Sequence, residues 1–284
     1  MLNALTIDVE DYYMVSAFAD VVRFRDWKSY DSRLEKNTYR ILELLAEYGV
    51  KATFFILGWI GENYPTLVRD ICSAGHEVAS HGYNHRLIYE LSPDEFREDI
   101  RRSKKILEDI SGSRIAGYRA ASYSLVRETF WALDILIEEG FAYDSSIFPI
   151  YHDRYGVPNA ERFPHIISRN SSTIWEFPLS TYRFWGGNIP VAGGGYFRLF
   201  PFWISRSAIR RINSKENKPV IFYFHPWEID EGQPRLNGRR LSMMRHYTNL
   251  SSTYVKLRTL LKEFQFQPIS SFLNDVPSVR QNLQ

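Results

Sequence analysis

Leu2-Asn3-Ala4-Leu5-Thr6-Ile7-Asp8-Val9-Glu10-Asp11 is an apolar run that ends in three carboxylates within four residues. The run from Leu2 to Ile7 reads as a buried strand. Side chains alternate across a strand, so Asp8 and Glu10 share one face while Ile7 and Val9 take the other. Carboxylates crowded at the end of a strand cost desolvation and mutual repulsion. Their placement therefore suits chemistry better than stability, since such a pair can hold a metal and take up a proton.

Outward from this stretch, the chain alternates strand and helix. Residues 32–49 carry Leu34, Thr38, Ile41, Leu42 and Leu45 at helical spacing, with Gly49 as a stop. Val50 to Leu57 is a β-branched and aromatic strand. Tyr64 to Ala74 is a helix opening near Pro65, and Glu77 to Ser80 is a short strand running into His81. Pro93 to Ile110 is a charged amphipathic helix with Ser92 as its N-cap. Ile115 to Arg119, Ile174 to Leu179, Pro219 to Phe224 and Gln267 to Ser270 read as further strands, and Arg127 to Glu139, Phe202 to Asn213 and Ser252 to Phe264 as helices. Residues 12–31, 149–173 and 229–250 are expected to be irregular, and 186–195 a glycine-rich turn. His152, Asp153 and Arg154 sit in a segment expected to form a lid. This alternation predicts an α/β fold, a distorted barrel of about seven parallel strands with crossover helices and irregular lid loops. It predicts one domain over residues 1–284, with a core at 2–272 and a tail at 273–284.

Composition narrows the function. The chain has 284 residues, 44% hydrophobic and 15% aromatic, with a formal net charge of +2. Its basic clusters, Arg101-Arg102 with Lys104-Lys105 and Arg235 with Arg239-Arg240, do not make a nucleic-acid footprint. Cys72 is the only cysteine, which excludes an intrachain disulfide and a cysteine-rich zinc site. No run approaches the roughly 20 apolar residues of a membrane span. No basic, then apolar, signal peptide is visible at the N-terminus, so a cytoplasmic location is expected.

Polar chemistry gathers just past the strand ends, at Asp8, Glu10, His81, Arg119, Asp144 and His225. Ser80-His81-Gly82-Tyr83-Asn84-His85 supplies two imidazoles four residues apart. Two imidazoles and one carboxylate are a common catalytic-zinc ligand set with a position left open for water.

Taken together these motifs resemble the polysaccharide deacetylase superfamily, the nodulation-type deacetylase domain of carbohydrate esterases. The resemblance spans about residues 2–272. It is nearest to the bacterial exopolysaccharide-cluster deacetylases that open Asp-Val-Glu-Asp (here Asp8 to Asp11) and carry Gly-Gly-Tyr-Phe-Arg (Gly194 to Arg198) and His-Pro-Trp-Glu (His225 to Glu228) segments. The resemblance implies Asp8 as general base. Val9 stands where the family has its metal-binding aspartate, and branches with an Asp-x-Asp pattern place that carboxylate at Glu10; Asp11 is the rival. His81 and His85 would be the other two ligands, with Gly82 replacing a hydroxyl residue. Arg119 would hold Asp8 ionised, with Ala121 where proline is common. A backbone N–H around Ser122 or Tyr123 would polarise the substrate carbonyl. Asp144 would orient His225, the general acid, and Phe148 replaces the family's tryptophan as an apolar wall. Tyr123, Arg154, Glu176, Arg198 and Trp227 are candidate substrate-binding residues.

The resemblance thus implies a hydrolase using a divalent metal, zinc by preference, to remove acetyl from the amino sugars of a bacterial polysaccharide or its lipid-linked precursor. The same residues would serve deformylation of a formamido sugar, or opening of a cyclic amide without a metal. A third reading is a non-catalytic glycan-binding protein. The implied partners are an N-acetylated glycan and, for export of the product, a polysaccharide-export assembly.

Overall fold

The computed structural model describes residues 1–152, 154–273 and 280–282. Asp153 and most of the stretch expected as a tail lie outside the described residues. A ten-stranded, mostly parallel sheet forms the centre. Its strands are β1 (Leu2–Val9), β2 (Thr53–Ile56), β3 (Glu77–Ser80), β4 (Gly117–Tyr118), β5 (Tyr143–Asp144), β6 (His165–Arg169), β7 (Ser172–Glu176), β10 (Ile221–Phe224), β11 (Gln265–Gln267) and β12 (Arg280–Asn282). A separate two-stranded ribbon is formed by β8 (Thr181–Phe184) and β9 (Gly187–Pro190). The order runs β10-β1-β2-β3-β4-β5-β7-β6-β12, with β11 also pairing with β1. Every described pairing in that sheet is parallel except β6 with β7.

Among the described residues the strand ladder is not closed into a barrel, but the chain just past β7 bonds back to β10. Ser180, just past β7, donates its N–H to the Ile221 carbonyl of β10 (3.4 Å), and its hydroxyl accepts from the Ile221 N–H (2.8 Å). The sheet encloses a small inner core of Ala4, Phe55, Ala79, Tyr143, Phe177 and Ile221. Leu5, Ile7 and Val9 pack on the outer face, in the larger core beneath the helices. This division of β1 follows from strand alternation, and it sends Asp8 to the inner side.

The helices are α1 (Leu34–Glu47), α2 (Gly58–Asn63), α3 (Pro65–Ser73), α4 (Pro93–Ser111), α5 (Trp131–Glu138), α6 (Gly194–Leu199), α7 (Phe202–Arg211), α8 (Arg240–Tyr247) and α9 (Leu250–Glu263). Ser92 caps α4 in a reciprocal box with Glu95, and Pro93 occupies its first turn.

The sheet has ten strands where the sequence predicts about seven, all parallel, and three stretches of chain are corrected. Residues 165–176 are a hairpin, because Asn170 and Ser171 both take positive φ (43° and 67°), the turn that suits right-twisted strands. Residues 240–247 form α8. The glycine-rich turn continues into α6. There Gly193 sits against β10 so closely that a Cβ would lie 1.8 Å from the Tyr223 carbonyl oxygen, so no other residue fits.

Candidate active site

Parallel strands deliver their C-terminal ends to one edge of the sheet. Glu10 follows β1, His81 follows β3, Arg119 follows β4, Asp144 ends β5 and His225 follows β10. These side chains are therefore gathered by topology from positions as far apart as Glu10 and His225.

Glu10, His81 and His85 form a buried cluster whose ligand atoms lie within 4.8 Å of one another. Glu10 Oε1 is 3.0 Å from His81 Nε2 and 3.1 Å from His85 Nε2. The other nitrogen of His81, Nδ1, lies 2.8 Å from the Arg119 carbonyl oxygen. A carbonyl only accepts, so Nδ1 carries the hydrogen and a neutral ring aims a bare lone pair from Nε2 at the Glu10 carboxylate. Two acceptors 3 Å apart repel unless a metal or a proton lies between them. The donor set thus fits a divalent metal, with His81 oriented from behind as metal-binding imidazoles usually are. Burial pushes the Glu10 carboxyl up, but with protons in place of a metal between these groups the charge of His85, hydrogen bonds from the His81 and His85 rings and the charge of His225 outweigh it and hold Glu10 well below the usual range.

The local chain serves this geometry. His85 adopts a left-handed conformation (φ 60°), costly for a non-glycine residue and common at functional sites. Gly82 has φ 75°, and a Cβ there would meet Asp99 Oδ2 at 2.9 Å, so a larger residue at this turn would be strained. Asp11 takes no part in the cluster. Its carboxylate accepts from Ser32 Oγ and from the N–H groups of Tyr12, Arg33 and Leu34, closing the start of α1.

Asp8 is held from one side. Arg119 Nη1 donates to Asp8 Oδ1 at 2.6 Å and to Thr6 Oγ1 at 2.8 Å. The rest of the guanidinium donates to Ser145 O and Oγ and lies over the Phe55 ring. Asp8 Oδ2 is left toward the cleft, 3.5 Å from the Tyr123 hydroxyl and 3.9 Å from His225 Nε2.

His225 is supported by a residue the sequence reading did not select. Its Nδ1 lies 3.4 Å from Glu228 Oε2, which also accepts from the His225 N–H (3.0 Å). Glu228 Oε1 in turn accepts from Arg198 Nε (2.8 Å). Burial disfavours a charged His225, but Glu228, Glu10 and Asp8 together push it up to about 9. Burial also works against charge on Glu228, yet Arg198 and His225 bring it down to about 2. The signal was present in His225-Pro226-Trp227-Glu228: Pro226 opens a short 3-10 turn, which brings the carboxylate three residues on beneath the imidazole.

The expected role of Asp144 is corrected accordingly. Asp144 bonds the Ser146 hydroxyl and N–H and contacts Glu176, and among the described residues the carboxylate beside His225 Nδ1 is that of Glu228. Glu176 is also withdrawn from any substrate role. It is fully buried, accepts from the Ile147 N–H, and is pushed well up by burial and by Asp144. Arg198 is buried too, its guanidinium committed to Glu228 and to the carbonyls of Arg245, His246 and Thr248. The Tyr123 N–H is used on the Ala120 carbonyl (3.1 Å), so it does not point to substrate.

Asp8, Glu10, His85, Tyr123, Arg154, His225 and Trp227 line a cleft of about 210 Å³. A second cavity shares Val15, Ala17, Arg154, Tyr155, Tyr223 and Trp227 with it, so the two form one longer groove. The Trp227 ring stacks on His225 (5.4 Å between centroids) and on His246 (4.0 Å).

Comparison with known proteins places these parts. Residues 26–135 match the polysaccharide deacetylase family, and residues 145–274 match a domain of unknown function (DUF3473). The chain is 38% identical over 81 residues to a peptidoglycan-N-acetylglucosamine deacetylase of Bacillus cereus, covering 28% of each protein. It is 30% identical over 121 residues to a peptidoglycan deacetylase of Helicobacter pylori, covering 41% of this chain and 40% of that protein. The chain thus spans well under half the length of these relatives. A Mycobacterium smegmatis structure provisionally described as a polysaccharide deacetylase shares the fold, with a TM-score of 0.62 and 23% identity over 97% of this chain and 89% of that one. His81, His85 and Arg119 fall within the first matched segment, whereas Arg198, His225 and Glu228 fall within the second.

Proposed function

We propose that this chain, which carries a polysaccharide deacetylase domain, hydrolyses the N-acetyl group of an amino sugar in a bacterial polysaccharide or its lipid-linked precursor. The observation that carries this reading is the cleft-facing edge of Asp8, which Arg119 leaves open. Its Oδ2 faces the cleft between the Glu10–His81–His85 cluster and His225 Nε2. The named relatives act on peptidoglycan, and the Asp8–Asp11, Gly194–Arg198 and His225–Glu228 segments support the exopolysaccharide branch for this chain.

Glu10, His81 and His85 would hold a divalent cation, zinc on this reading, which would supply Lewis acidity toward the amide oxygen and a water of lowered pKa. The remaining steps belong to the chain. Asp8, fixed by Arg119 through Oδ1, takes the proton of the attacking water on Oδ2. The N–H of Ser122, whose backbone is held in the left-handed region (φ 48°) at the cleft wall, donates to the developing oxyanion. His225, charged at neutral pH, gives its Nε2 proton to the departing amine. Glu228 and Arg198 act as positioning residues that keep His225 charged and oriented. Tyr123, Arg154 and Trp227 form walls for the sugar.

The test is direct. Zinc-restored protein is incubated with N-acetylglucosamine oligomers and polymers, and free amine and acetate are measured. The reading expects equal amounts of both, lost on chelation and regained with zinc. Absence of both products from every N-acetylated glycan would overturn it.

A further inference from the structure

The substrate groove ends against α8, whose Ser242, Arg245 and His246 line its second cavity. The opposite face of this helix is unusual. Leu241 and Met244, three residues apart and so on one side, are 53% and 59% exposed. Leu199, at the end of neighbouring α6, is 40% exposed and lines the same cavity. On and just before α8 stand Arg235, Arg239, Arg240 and Arg245, all exposed, with the Arg235 guanidinium over the Tyr247 ring (5.4 Å). Arg239 pairs with Asp20 (3.0 Å), whereas Arg235, Arg240 and Arg245 have no carboxylate ion pair among the described residues. Glu231 is the one acidic residue in the stretch from 231 to 250. Inward, Met243, His246 and Tyr247 pack against the body, with His246 against Phe18 and Trp227, so the helix is firmly seated.

A helix with exposed leucine and methionine beside exposed arginines that outnumber the neighbouring carboxylates matches an anionic lipid surface, with apolar tips for the acyl boundary and guanidinium groups for phosphates. Acidic polysaccharide would satisfy the arginines but offers nothing to Leu241 and Met244. We propose that the outer face of α8 rests on an anionic membrane and presents the groove to amino sugars carried on a lipid phosphate. This rests on the function proposed above for the site, and it selects the lipid-linked substrate within it.

The experiment is co-sedimentation of the intact protein with phosphatidylcholine vesicles with and without phosphatidylglycerol. Turnover of a soluble N-acetylglucosamine oligomer is measured on the same samples. Wild type is expected to bind only the vesicles containing phosphatidylglycerol. The double variant Arg235→Gln/Arg240→Gln should bind about 25-fold more weakly, roughly fivefold per arginine. The double variant Leu241→Ser/Met244→Ser should also lose binding, and both variants should keep wild-type turnover of the soluble oligomer. Equal binding to both vesicle types, no binding, or unchanged binding by the Leu241/Met244 variant would overturn the proposal. So would dextran sulfate capturing wild type and that variant alike. If soluble turnover is absent while anionic vesicles are bound through α8, the proposed chemistry fails and the lipid contact stands.

Discussion

Replacing Glu228 by Gln separates the role of His225 from its mere presence. The imidazole rises from the ordinary 6.5 to about 9 against its own burial, a difference on the order of 3 kcal/mol in favour of the charged form. Glu228 is the first of the groups that raise it, touching both Nδ1 (3.4 Å) and the backbone N–H (3.0 Å). Loss of one adjacent opposite charge moves a pKa by about 1–3 units. Glutamine keeps an oxygen for Arg198 Nε, so the pair is neutralised without leaving a hole. A general acid must be protonated to act, so kcat/KM falls as pH rises through its pKa. The assay is acetate release across pH 6–10. The alkaline limb of Glu228→Gln is expected about 2 units lower than that of wild type, with little loss at pH 6. A cation on Glu10 lowers both limbs alike and leaves the difference. Asp144→Asn, by contrast, is expected to leave the limb where it is, because Asp144 faces Ser146 and Glu176. A uniform drop in rate with an unmoved limb in Glu228→Gln, or a shifted limb in Asp144→Asn, would refute the assignment.

The carboxylates of the opening stretch should separate cleanly. Glu10→Ala and His85→Ala are expected to lose the stoichiometric zinc that metal analysis finds in wild type. Asp11→Ala should keep the zinc but lower stability by about 1–3 kcal/mol in urea unfolding, since four donors lose their acceptor. His246 is buried and brought down to about 3, by burial first and then by Arg198. Its folded pKa lies below that of the unfolded chain, so the unfolded chain binds the proton first as pH falls. Stability therefore drops below about pH 6.5, by about 1 kcal/mol per unit. Chemical denaturation of His246→Gln between pH 6 and 4 should show a shallower slope than wild type.

Strand alternation made much of this site legible in the sequence. It put Asp8 and Glu10 on the inner face of β1, and the ends of β3, β4 and β10 brought His81, Arg119 and His225 to the same edge. Local chemistry that borrows from distant chain was harder to see. Arg198 reads as a substrate contact until α8 and the turn after it fold over it and offer the carbonyls of Arg245, His246 and Thr248. Glu176 and Asp144 share β-strand register, and only the register shows that they meet each other instead of the substrate. The β6–β7 hairpin turns on Asn170-Ser171, which lacks the glycine that usually marks such a turn. The α8 segment carries its apolar side chains outward as well as inward, so it has no clean helical stripe.

The central claim is that Asp8 takes the proton of the attacking water while Arg119 and Glu10 are occupied otherwise. Its most direct test is acetate release by zinc-loaded Asp8→Asn at pH 7, with zinc content and folding measured on the same sample. Asparagine keeps the size of the side chain and a carbonyl for Arg119 but cannot accept that proton. The account predicts a rate lower by about 100- to 10,000-fold with zinc retained. A folded, zinc-loaded Asp8→Asn that releases acetate at the wild-type rate would contradict it.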